Sequence, residues 1–175
     1  MLRILRQIAR TGLVTEEGPR PGDEAELERL GVAVRRRLAE RFGGSLAIRE
    51  VDAGSCNGCE LEIHALNAPQ YDLGRFGVHF VASPRHADAL LVTGPVSRHM
   101  EAALRRTWRA TPSPKLVIAA GDCAACGGVF GESYACRGPV SRVLPVDVSI
   151  PGCPPSPRAL LAGILAAVER RGGRG

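Results

Sequence analysis

The sequence predicts an α/β sandwich: a doubly wound parallel sheet with helices on both faces and a helical extension at its N-terminus. Two observations carry that expectation. From residue 45 onward, short apolar runs alternate with stretches of helical periodicity. The runs read as short, mostly buried strands, as in a sheet covered by helices on both sides. Strand, crossover and strand in alternation make a parallel sheet.

The elements follow in order. Residues 1–15 place Leu2, Leu5 and Ile8 at helical spacing with Arg3, Arg6 and Arg10 between them. Such a segment suits a partner or an anionic membrane surface, and a frayed basic terminus has the same composition. Residues 16–23 read as a polar Pro/Gly linker. Glu24–Phe42 reads as a helix with Leu27, Leu30, Val34 and Leu38 on one face, ended by Gly43 and Gly44. This strip suits a subunit contact or core packing. Leu46–Val51, Val78–Ala82, Ala89–Thr93, Leu116–Ala120 and Val146–Ile150 read as strands, and 60–68, 98–110 and 157–171 as helices. Ser156 is placed to cap the last helix, with Pro157 in its first turn. The expected organisation is an extension over 1–44, the sheet domain over 45–171 and a flexible end over 172–175.

Composition narrows the function. Of 175 residues 45% are hydrophobic and 23% charged, the balance of a globular chain, which excludes extensive disorder. Aromatics at 4% argue against a base-stacking surface, so no nucleic-acid partner is expected. The net charge of +5 comes almost wholly from arginines scattered along the chain, as on an ordinary solvated surface. The longest apolar stretch, Ala159–Val168, is half the length of a membrane span. The first residues alternate charge with apolar side chains too closely for a signal sequence. The six cysteines are therefore read in a reducing compartment, where they bind metal or do redox chemistry more often than they form disulfides.

Their placement is the informative feature. Cys56 and Cys59 follow the first strand, Cys123 the strand 116–120, and Cys153 the strand 146–150. Loops after the strands of a parallel sheet share one edge, so four distant thiols converge on one rim. A 4Fe–4S cluster takes four cysteines and is tuned by backbone N–H donors. Glycines 54, 58, 121, 127, 128 and 152 let backbone approach such a cluster, and Pro151, Pro154 and Pro155 stiffen the last loop. The pocket is expected to be dry and rigid, with Glu60, Glu62 and Asp122 its few chargeable groups. Structural zinc on Cys56, Cys59, Cys123 and Cys126 is the competing reading, and it would make the chain a non-redox binding module. A dithiol at Cys56 and Cys59 would leave Cys123 and Cys153 unexplained. Cys126 and Cys136 default to small buried residues, with Cys126 able to stand in for Cys123.

Five blocks in one order resemble a known superfamily: Ser55–Ile63, Arg75–Val96, Gly121–Ala124, Gly127–Phe130 and Pro145–Pro155. That superfamily unites the small subunits of nickel–iron hydrogenases with the 20 kDa subunit of respiratory complex I, and the likeness runs from about Leu46 to Ala167. The energy-converting hydrogenases and formate hydrogenlyase are its most similar branch. Complex I subunits usually carry two adjacent cysteines where this chain has Cys56-Asn57-Gly58-Cys59. The resemblance implies a flavodoxin-like fold and one 4Fe–4S cluster on Cys56, Cys59, Cys123 and Cys153. It also matches Glu62 to an acidic residue beside the cluster, for proton transfer or for shaping the interface; an ordinary surface carboxylate is the plain alternative.

The implied function is that of an electron-transfer small subunit beside the active site of a large subunit in a membrane-associated nickel–iron hydrogenase-type complex. A complex I-type relay to quinone is the alternative. Implied partners are the large subunit, a ferredoxin-like cluster-bearing subunit and membrane subunits. The implied location is the cytoplasmic face of the inner membrane. No catalytic residue is assigned to this chain, because no further cysteine pair remains to hold nickel.

Overall fold

The computed structural model describes residues 2–11 and 23–170. All but the last residue of the linker read over 16–23, and the C-terminal end read over 172–175, lie outside the described residues. The elements are α1 (Leu2–Thr11), α2 (Asp23–Arg41), β1 (Leu46–Asp52), α3 (Gly58–Ala65), β2 (Val78–Phe80), β3 (Ala89–Thr93), α4 (Arg98–Ala110), β4 (Leu116–Ala120), α5 (Asp122–Cys126), β5 (Val148–Ile150) and α6 (Pro157–Arg170). The five strands form one sheet in the order β2-β1-β3-β4-β5, and every pairing is parallel. This is the flavodoxin-like order, with its reversal between β1 and β3.

The central strands explain the architecture. Every residue of β3 and β4 is buried, so both sheet faces need a cover. On one face Leu46, Ile48, Ala89, Leu91 and Ile118 pack with Ile63 of α3, Val34 and Leu38 of α2, and Leu160, Leu161 and Ile164 of α6. On the other, Leu90, Val92, Val117 and Ala119 pack with Leu104 of α4 and Ala124 of α5. The strip on α2 is therefore core: Leu27, Val34 and Leu38 are buried and Leu30 is partly so. Arg41 clamps α2 to α6 by donating to the Val168 and Glu169 carbonyls, satisfying acceptors left open in the last helical turn.

Local chemistry sets the ends. Ser97 Oγ accepts from Met100 N at 3.2 Å and caps α4; Ser156 Oγ accepts from Ala159 N at 3.3 Å and does the same for α6. The N-terminal edge of the sheet is sealed by two aspartates. Asp88 N donates to the Ala47 carbonyl while its carboxylate accepts from Ala47 N at 3.0 Å. Asp147 repeats this against Val117, at 2.8 and 2.9 Å. The second pairing accounts for a shorter β5 than the sequence predicts: Val146 and Asp147 form its lead-in, and the strand proper is Val148–Ile150. Strand β2 likewise stops at Phe80, at the sheet's other edge, and α3 runs over Gly58–Ala65 in place of 60–68.

Gly31 marks the tightest contact of α2. A Cβ there would lie 2.1 Å from Cζ of Phe76, itself a buried residue. Alanine gains about 1 kcal/mol of helix propensity over glycine, but forcing a methyl into a filled core costs about 1–3 kcal/mol. Gly31→Ala should lower the melting temperature by several degrees. In a double-mutant cycle with Phe76→Leu, the pair should lose less stability than the sum of the singles. Simple additivity would show that α2 does not dock on this ring.

Candidate metal centre

The first cysteine loop is built by its own side chains. Asp52 Oδ1 accepts from Gly54 N and from Ser55 N, both at 2.7 Å, so the chain turns as soon as β1 ends. Ser55 Oγ then accepts from Asn57 N at 3.1 Å. Asn57 adopts a left-handed conformation (φ 70°), one that asparagine tolerates better than most residues. The kink starts α3 at Gly58, leaving Cys56 exposed in the loop and Cys59 buried in the first turn.

The other two loops are tied to each other. Gly121 N donates to the Ile150 carbonyl at 2.8 Å and Asp122 N to the Gly152 carbonyl at 2.9 Å. In return Gly152 N donates to Asp122 Oδ1 at 2.8 Å. Cys123 follows Asp122 and Cys153 follows Gly152, so this ladder fixes both thiols against one another. Helix α5, which carries Cys123, is absent from the sequence expectation. Its five residues are too short to establish a periodicity.

The loops that carry the four thiols leave the sheet at one rim, and glycines lie beside three of the sulfurs. A Cβ on Gly121 (φ +89°) would come within 2.5 Å of Cys59 Sγ and 3.4 Å of the Gly152 carbonyl oxygen. One on Gly128 (φ +51°) would lie 2.7 Å from Cys123 Sγ. A Cβ on Gly58 would stand 3.6 Å from Cys56 Sγ and 4.0 Å from Pro154 Cβ, which brings the first loop against the last. At Gly121 and Gly128, side chains are thus kept out of the space beside the sulfurs by positions that need glycine for conformation as well as for room. Burial, then the charges of Glu60, Cys123, Cys56 and Cys153, push the Cys59 thiol up to about 12. Burial and the charges of Cys153 and Cys56 raise Cys123. Both shifts favour the protonated thiol, so a bound cation would have to displace those protons.

Among the described residues no group of three or more His, Cys, Asp or Glu side chains is gathered as the ligands of a single metal ion. A four-iron cluster takes four cysteine ligands. The donor chemistry and the glycine-lined space fit that group. Cys126 is exposed, its Sγ donates along α5 to the Asp122 carbonyl at 3.1 Å, and its charge is among those that raise Cys123. Cys136 is half-buried in the segment that bridges to Ser97. Neither is the fully buried small residue expected.

One further expectation needs correction. The site is not uniformly dry, because Cys56 and Cys153 are exposed, Cys123 is partly so, and Cys59 alone is buried. The carboxylate buried next to these thiols is Glu60, at 7% exposure, with both oxygens lacking a hydrogen-bond partner; Glu62 is half-buried. Glu60 lies three residues before buried Ile63, on the inward stripe of α3, and this spacing was the available signal. Burial and the Glu60 charge raise the carboxyl of Glu50, on the neighbouring strand β1. In the segments that follow Cys59 and Cys126, Leu61, Val129, Phe130 and Tyr134 expose large apolar surface.

Residues 56–167 match the family described as NADH ubiquinone oxidoreductase, 20 Kd subunit. The chain is 48% identical over 134 residues to the probable membrane-bound hydrogenase subunit mbhJ of Pyrococcus furiosus, covering 77% of this chain and 80% of that protein. It is 44% identical over 136 residues to formate hydrogenlyase subunit 7 of Escherichia coli, covering 78% of this chain and 53% of that longer protein. Among solved structures, a chain of the membrane-bound sulfane sulfur reductase, an archaeal respiratory membrane complex, superposes with a TM-score of 0.67 at 34% identity; the match covers 81% of this chain and 77% of that one.

The ladder between the two later loops is open to test. Asp122→Ala removes the acceptor for Gly152 N, a hydrogen bond of about 1–3 kcal/mol, and should speed hydrogen exchange at Gly152 and Cys153 tenfold or more. Strand β4 amides should keep their protection, and Asp122→Asn, which retains an acceptor oxygen, should exchange more nearly like the parent. Unchanged exchange in the alanine variant would show that the loop is held by other means.

Proposed function

The chain belongs to the NADH ubiquinone oxidoreductase 20 Kd subunit family, and on that premise we propose that it is the electron-transfer small subunit of a membrane-associated, hydrogenase-type oxidoreductase complex. One 4Fe–4S cluster would be held by Cys56, Cys59, Cys123 and Cys153, supplying a one-electron redox centre when bound. What supports this reading is that loops up to 97 positions apart (153 − 56) carry their cysteines to one rim of the sheet, where Gly121 and Gly128 keep the space beside Cys59 and Cys123 clear.

The chain's own residues divide the labour. Asp122 and Gly152 lock two of the ligand loops together, and the Asp52 and Ser55 turns lock the first. The inward side, at Cys59 and Glu60, is closed by α3 and the sheet. The outward side, at Cys56 and Cys153, is open and bordered in sequence by Leu61, Val129 and Phe130. Electrons would enter and leave there, and an apolar partner surface would complete the water exclusion that the isolated chain lacks. The large subunit is the assigned cover, with a ferredoxin-like subunit and membrane subunits completing the complex on the cytoplasmic face of the inner membrane. This chain holds no catalytic residue of its own. A large subunit with two paired-cysteine motifs would fix the hydrogenase reading, and one without them would fix the quinone-reducing alternative.

Anaerobically purified protein should contain about four irons and four acid-labile sulfides per chain and give a reducible EPR signal. Cys56→Ser, Cys59→Ser, Cys123→Ser and Cys153→Ser should each lose most of the iron and the signal, whereas Cys126→Ser and Cys136→Ser should keep both. Stoichiometric zinc without sulfide would refute the redox function.

A further inference from the structure

Helix α1 stands apart from the rest of the molecule in its chemistry. Over ten residues it carries Arg3, Arg6 and Arg10 and no acidic side chain, which is three of the positive charges behind the chain's net +5. Leu2 is 76% exposed and Leu5 63% exposed, and all three arginines are exposed. At about 100° per residue, Leu2, Leu5 and Ala9 fall within one narrow arc and Arg3, Arg6 and Arg10 within the next. Helix α2 is the instructive contrast: its apolar strip is spent on the core, and it carries Glu24, Glu26, Glu28 and Glu40 among its arginines.

We infer that α1 is an interfacial helix, laying its leucine edge into an anionic lipid surface while its arginines donate to headgroup phosphates. A lipid surface meets both needs of this helix together. Phosphates accept from the guanidinium groups, and the acyl boundary takes the leucines without a shaped groove. Arginine stems beside the apolar edge lie along that boundary with their charged heads in the headgroup layer. At about 1.5 Å per residue the helix is half the length needed to span a bilayer, and among the described residues no helix is long and apolar enough to cross one. A carboxylate-bearing protein surface would satisfy the arginines and leave the leucine edge in water. This contact does not depend on what the four thiols hold, so a Cys153→Ser chain serves as well as the parent for testing it.

The test uses the full-length chain and floating vesicles of pure phosphatidylcholine or of equal parts phosphatidylcholine and phosphatidylglycerol. Near 0.1 M salt the chain should float with the anionic vesicles and bind the neutral ones roughly tenfold less or weaker; high salt should release it. The triple variant Arg3→Glu, Arg6→Glu, Arg10→Glu and the double variant Leu2→Asp, Leu5→Asp should each lose tenfold or more, with unchanged melting temperature. The control triple Arg35→Glu, Arg106→Glu, Arg109→Glu, at exposed positions on α2 and α4, should retain binding. A tryptophan replacing Leu5 should shift its emission to the blue on anionic vesicles. Parental binding by the α1 variants, equal loss in the control triple, or no lipid preference would each overturn the assignment, as would an α1 variant that fails only to assemble with a partner subunit.

Discussion

In a parallel sheet every strand releases its following loop at the same edge, and the chemistry of this chain depends on that geometric constraint. Three strands, β1, β4 and β5, deliver the loops that hold Cys56, Cys59, Cys123 and Cys153. No local motif could bring them together, because the two most distant are separated by most of the sheet domain. The buried strands β3 and β4 fix the sheet, the sheet fixes the edge, and the edge fixes the sulfurs. The opposite edge shows the same economy in reverse. There Asp88 and Asp147 tie strand starts together with reciprocal hydrogen bonds and carry no reactive group.

The site is asymmetric in burial and in charge. Its inner side sets the Cys59 thiol beside Glu60, a carboxylate with no hydrogen-bond partner, and beneath helix α3. Its outer side is accessible at Cys56 and Cys153. Burial, and after it neighbouring charge, raises the Cys59 and Cys123 thiols and favours protonated sulfur. Binding of a cationic group and loss of protons are therefore coupled. The exposed apolar side chains Val129, Phe130 and Tyr134 have no reason to face water in a chain that works alone. They have one in a subunit whose reactive edge is finished by its neighbour.

Much of this was legible in the sequence. The apolar runs over Ala89–Thr93 and Leu116–Ala120 coincide with β3 and β4, because strands buried on both faces leave an unbroken signal. The placement of four cysteines after strands required only topology. The edge strands were less legible, since Val81 and Ala82 carry the apolar run beyond the end of β2 and Val146 starts one before β5 begins. Helix α5 was hidden by its length, and the strip on α2 was ambiguous because a core face and a docking face share one periodicity. Glu60 was counted among the pocket's chargeable groups but its burial was not foreseen, because a buried glutamate contradicts composition-based expectation; its register with Ile63 discloses it. The exposure of Cys56 and Cys153 depends on loop shape, which one sequence does not encode in any simple pattern.

The central claim is that four sulfurs share one bound group. An iron anomalous difference map from crystals of anaerobically prepared protein measures this directly. The account predicts a single multi-iron peak bonded to Cys56, Cys59, Cys123 and Cys153, with Cys126 free. A peak at the zinc edge, or one reached by Cys126 with Cys153 turned away, would contradict it.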